Sequence, residues 1–189
     1  MINADVNLDG LITKNDVRLI YTSYVDNKRL PIKVIVGDNI KTYNWDKTQQ
    51  VINGFYISKN RLSKNEVIKN FNTTIIEEYG AKFFNQAANE LVNDNIGTGS
   101  IMKIGYDPGA ESTQEYTILV YGDTNGDGLI TPVDALAIIK DINNKIPFIS
   151  EIYRTAGKVY SDSDKELSAI DALAIIKSIN GKYEINQSK

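Results

Sequence analysis

The stretch that decides the reading is Asp123-Thr124-Asn125-Gly126-Asp127-Gly128-Leu129-Ile130-Thr131-Pro132-Val133-Asp134, which runs directly into Ala135-Leu136-Ala137-Ile138-Ile139-Lys140. Oxygen-bearing side chains recur at alternate positions, a glycine follows the third of them, and an apolar helical pattern begins where they stop. Near the N-terminus the same frame returns as Asp5, Asn7, Asp9, Gly10, Leu11, Thr13 and Asp16, and the two twelve-residue windows share eight residues. A third window, Tyr160 to Asp171, keeps Asp162, Asp164 and Asp171 but has Tyr160 at the first carboxylate position and Lys165 at the glycine. Duplication explains the last two, because Asp134–Lys140 and Asp171–Lys177 are identical.

This spacing suits a hard cation. Ca²⁺ takes about six to eight oxygens at roughly 2.3–2.6 Å, and a loop of this length can wrap them around it. In the second window Asp123, Asn125, Asp127 and Asp134 offer side chains, Leu129 its carbonyl, and Thr131 a hydroxyl that acts directly or through water. Gly128 takes the bend, and Pro132 sits where a helix's first N–H groups lack partners anyway. Asp5, Asn7, Asp9, Leu11, Thr13 and Asp16 fill the same roles in the first window. Clusters of Asp, Asn and Gly also make ordinary turns, but two full matches leading into apolar helices favour the metal. For the third window a structural loop is the plainer reading, with Asp162, Asp164 and Asp171 as a reduced ligand set for weaker binding.

Composition narrows the chemistry further. The 189 residues contain no cysteine and no histidine, which excludes thiol chemistry, imidazole ligation and histidine-based triads. A net charge of −3 with no basic block argues against nucleic acid. No apolar run approaches the roughly 20 residues that span a bilayer, so membrane insertion is not expected. The N-terminus carries no leader-like pattern, so the chain reads as a fragment, and if the parent protein is exported its signal lies outside this chain.

The closing Asp, in place of the Glu that ordinary EF-hands use, and the tandem of loop–helix units resemble a type I dockerin over roughly 122–185. Residues 4 to 24 resemble the second half of another. The resemblance implies a calcium-dependent module that docks a cohesin, as in clostridial cell-surface and cellulosomal proteins, and hence a secreted or cell-surface location. Carried over by position, the partner contacts would be Pro132, Val133 and Lys140 in one half and Ala169, Ile170 and Lys177 in the other. Near-symmetry of the halves would permit two docking orientations.

Between Lys28 and Tyr121 the pattern changes to strand-like runs at 32–36, 51–57, 101–106 and 116–121. Ser63 and Glu66 form a capping box that predicts a short helix through Phe71, a Thr-Ile-Ile strand follows at 74–76, and Asp107-Pro108-Gly109 suggests a hairpin turn. This resembles a small β-rich module that precedes dockerins in clostridial surface proteins. Trp45 with Tyr43, and Phe55 with Tyr56, would be the aromatics for a sugar platform, although strand aromatics are more often core.

The expected architecture is α+β: a loop–helix unit at 1–27, a β-rich module with one short helix at 28–121, and at 122–189 a helical pair packed against it. The expected function is non-enzymatic, a monomer when free that binds Ca²⁺ and a cohesin-like partner. The competing expectation is an architectural spacer that calcium merely rigidifies.

Overall fold

The computed structural model describes residues 12–26, 38, 40–44, 50–71, 76–77, 80–93, 95–105, 114–160 and 166–188. Helices are α1 (Lys14–Asp26), α2 (Lys64–Ile68), α3 (Pro132–Ile142), α4 (Glu151–Gly157) and α5 (Ala169–Ile179). Strands are β1 (Lys41–Asn44), β2 (Gln50–Asn53), β3 (Ala81–Phe84), β4 (Ile101–Ile104) and β5 (Gln114–Ile118). They form one sheet in the order β1-β2-β5-β4-β3, antiparallel except for the parallel pair of β2 and β5.

Burial explains the strand sequences. Central β2 and β5 contribute runs without alternation, Val51-Ile52 and Tyr116-Thr117-Ile118, all buried. Strands covered on both faces read this way. β4 alternates, with Met102 and Ile104 inward and Lys103 outward, where it pairs with its cross-strand neighbour Glu115. Apart from Phe84, the buried apolar residues of the sheet and of α3 and α5 belong to a single cluster, from Ile52 and Ile118 to Ile138 and Ile175.

Several expected elements differ. β2 stops at Asn53 because Gly54 turns the chain at φ 99, and Gly105 at φ 67 ends β4 one residue before Tyr106. Beyond β5, Leu119–Tyr121 leave the ladder but stay buried, with Leu119 N–H donating to the Ile52 carbonyl. Ile76 is helical, contrary to the strand expected at 74–76. β1, β3 and α4 were not expected. α2 is shorter than predicted, ending at Ile68, but Ser63 Oγ does accept the Glu66 N–H at 3.2 Å. Phe55 is in the core while Tyr56 faces solvent, so those two make no platform. The strand expected at 32–36, Trp45 and the 107–109 turn lie outside the described residues.

Candidate metal centre

All three loops end on one device. The Asp134 carboxylate accepts N–H bonds from Thr131 at 2.8 Å and Thr124 at 2.9 Å, and the Thr131 hydroxyl at 3.1 Å. Asp171 does the same with Ser168 N–H at 3.0 Å and Ser168 hydroxyl at 2.8 Å, and Asp16 with Thr13 N–H at 2.6 Å. Each Asp is the third residue of its helix, or close to it, and reaches back to the loop. That is the reciprocal arm of a capping box, so the carboxylate fixes the first turn and the loop end together. All three are buried.

Within the second loop the carboxylate of Asp123 is also fully buried. It accepts N–H bonds from Gly126 at 2.7 Å, Gly128 at 3.1 Å and Thr98 at 2.9 Å. The last comes from the Ile96–Gly99 turn of the preceding module. Asn125 and Asp127 lie on the rim, and Asp127 accepts from Leu129 N–H at 2.8 Å and from the Asn125 amide at 3.0 Å. Among the described residues no group of three carboxylates converges as a metal site. The remaining candidate donors are an amide, a hydroxyl and a carbonyl.

The donor chemistry nevertheless fits a divalent cation. Burial pushes Asp123 up to about 7, and the negative charges of Asp134 and Asp127 add to it, against the N–H bonds that favour its anion. Burial likewise raises Asp134. Among the described residues no lysine or arginine forms an ion pair with Asp123, Asp127 or Asp134. Buried carboxylates in such a setting need a counter-charge. A hard cation supplies it.

A loop of this build, joined to a paired helix, has a match among protein-family models. Residues 121–180 match the family model of the dockerin type I domain. No curated protein and no solved structure matches the chain. Dockerin domains are non-catalytic, calcium-dependent modules that bind cohesins, and the match implies such a module here. Helices α3 and α5 of the matched segment pack on each other. Its ends are clasped, since Gln187 both accepts from Tyr121 N–H at 2.9 Å and donates to the Tyr121 carbonyl at 2.8 Å.

The third loop is out of frame with the expected alignment. Tyr160 N–H meets Asp171 at 3.0 Å across eleven residues, where Thr124 N–H meets Asp134 across ten. Tyr160 therefore occupies the place of Thr124, and the wholly buried Val159 that of Asp123. Asp162 and Asp164 lie outside the described residues, as do Asp5, Asn7, Asp9 and Leu11 of the first loop.

Pro132, Val133, Ala169, Ile170 and Lys177 are exposed, and Lys140 is half-buried. Leu136 and Leu173 join them on the surface. The signal for this was available: they lie three residues after Val133 and Ile170, on the same helical face. Beside the first set, Ile146, Phe148 and Ile149 complete a groove that Val133, Leu136 and Lys140 line from the other side. No helix among the described residues is long and apolar enough to cross a membrane.

Proposed function

We propose that Asp123, Asn125, Asp127, Leu129 through its carbonyl, Thr131 and Asp134 hold one Ca²⁺, and that Asp5, Asn7, Asp9, Leu11, Thr13 and Asp16 hold a second. The observation carrying this is the pair of buried carboxylates, Asp123 and Asp134, surrounded by N–H donors and without a basic partner among the described residues. Calcium orders the dockerin segment. Its outward face, Pro132, Val133 and Lys140 with Ala169, Ile170 and Lys177, docks a cohesin-like module and attaches the parent protein to a cell surface or multi-enzyme complex outside the cell. The third loop serves as a structural connection between α4 and α5, since Val159 brings no charge to the place of the first ligand.

The test pairs two titrations on the whole chain. Val133→Asp with Ile170→Asp is expected to abolish capture by cohesin modules while leaving calcium affinity within about threefold, because both side chains are exposed and neither is a proposed ligand. Loss of calcium binding together with partner binding would mean that the face and the loop are not separable. Retained cohesin capture would place the docking surface elsewhere. Calcium binding with no cohesin capture by the unaltered chain would favour a rigidified spacer.

A further inference from the structure

Helix α1 carries an apolar stripe that the fold leaves in solvent. Val17, Ile20, Tyr21 and Tyr24 recur at three- and four-residue intervals along one helical face. All four are exposed, Tyr24 at 87%. The other two loop–helix units bury the corresponding positions. Aligned on Asp16, Asp134 and Asp171, Val17 and Ile20 stand where α3 has Ala135 and Ile138 and α5 has Ala172 and Ile175, all buried. Tyr21 and Tyr24 stand where α3 has Ile139 and Ile142, which pack against the core. Ahead of the helix, Ile12 is 72% exposed, whereas its counterparts Ile130 and Leu167 are 4% and 6% exposed. So α1 presents to water the positions that α3 and α5, which pack on each other, bury in the core.

We propose that this face is covered by the same face of a second copy of the chain, two N-terminal loop–helix units closing on each other across a two-fold axis. The template lies within the molecule. Asp134–Lys140 and Asp171–Lys177 are identical, and the helices that contain them pack together. Helices of this loop–helix repeat therefore pack on one another in pairs, and α1, a third copy of the repeat, paired with itself across a two-fold axis would make an isologous dimer. Thirteen residues of helix are also too few to be stable in water without a packed face. In the dimer each unit covers the apolar face of the other, and the chain is not a monomer when free.

Sedimentation equilibrium of the whole chain in saturating Ca²⁺ tests this. The mass is expected to approach twice 21.1 kDa as concentration rises through the micromolar range. Ile20→Asp, and separately Tyr24→Asp, are expected to raise the dimer dissociation constant at least about tenfold, a shift that one unfavourable contact suffices to produce. Tyr24 is so exposed that its replacement cannot unfold the monomer. Because the chain has no cysteine, Tyr24→Cys introduces a single thiol. A short bismaleimide should join two copies of it readily, and should not join copies of Glu151→Cys on α4. A mass of 21.1 kDa at every concentration would overturn the proposal. So would a dimer that both α1 variants leave intact. None of these readouts involves a cohesin, so the result stands apart from the docking function.

Discussion

Asp123 sits where three backbone N–H groups converge, and there calcium competes with the proton. Without a cation, its carboxyl is raised from 3.8 to about 7. Taking the lower value for the unfolded chain, the native state holds the proton through that window and the unfolded chain does not. This group's contribution to metal-free stability is therefore full below the lower value, and declines as pH rises towards the upper one. Calcium reverses the preference, because it binds the carboxylate. Affinity is expected to weaken about tenfold per pH unit below neutrality, read by calorimetric titration at two or three pH values. Asp123→Ala should lose one calcium site and Asp5→Ala the other; two variants with unchanged stoichiometry would refute the ligand assignment.

At the scale of elements, the second loop leans on the module before it. Ile130 N–H donates to the Asn60 carbonyl at 2.7 Å, and Thr98 N–H donates to Asp123. Gly97 makes this approach possible, since a Cβ there would lie 2.4 Å from the Gly126 carbonyl oxygen. Gly97→Ala should cost about 1–3 kcal/mol by overpacking, measured by denaturant unfolding, and should weaken calcium binding as well. Gly181→Ala separates crowding from backbone strain: at φ 68 with open space around it, it should cost about 1–2 kcal/mol and leave calcium affinity alone. Between the helices, Ile138 is fully buried. Ile138→Ala is expected to destabilise by about 2–5 kcal/mol, through lost burial and the cavity left behind.

Across the whole molecule, the single core and the Thr98–Asp123 bond link the loop to the sheet. Thr98 also clasps Val120, its hydroxyl donating to the Val120 carbonyl at 3.0 Å. Calcium at a hundredfold excess over Kd should add about 2.7 kcal/mol per site, and a chelator should lower Tm accordingly. The stabilisation is expected to spread beyond the loop, slowing amide exchange at Gly99 and Ile118, whose N–H groups bond to the Ile118 and Ser100 carbonyls. Slowing confined to the dockerin segment would show that sheet and loop open independently.

The sequence by itself determined what lies within one loop or one helix. The closing Asp and the onset of α3 at Pro132 were legible because every partner lies within a few residues, whereas the Thr131 and Ser168 caps, equally local, escaped notice. The duplication was legible too. Parts of β2, β4 and β5 showed as apolar runs. β1 and β3 escaped notice because their short stretches carry little alternation, and what stabilises them is a neighbour strand remote in sequence. Only the tertiary structure paired β2 with β5, set the Ile96–Gly99 turn against Asp123, and moved Tyr160 by one place in the third loop. It alone left the α1 stripe in water. Periodicity says that a helix has an apolar face; which surface covers that face depends on contacts between residues far apart along the chain.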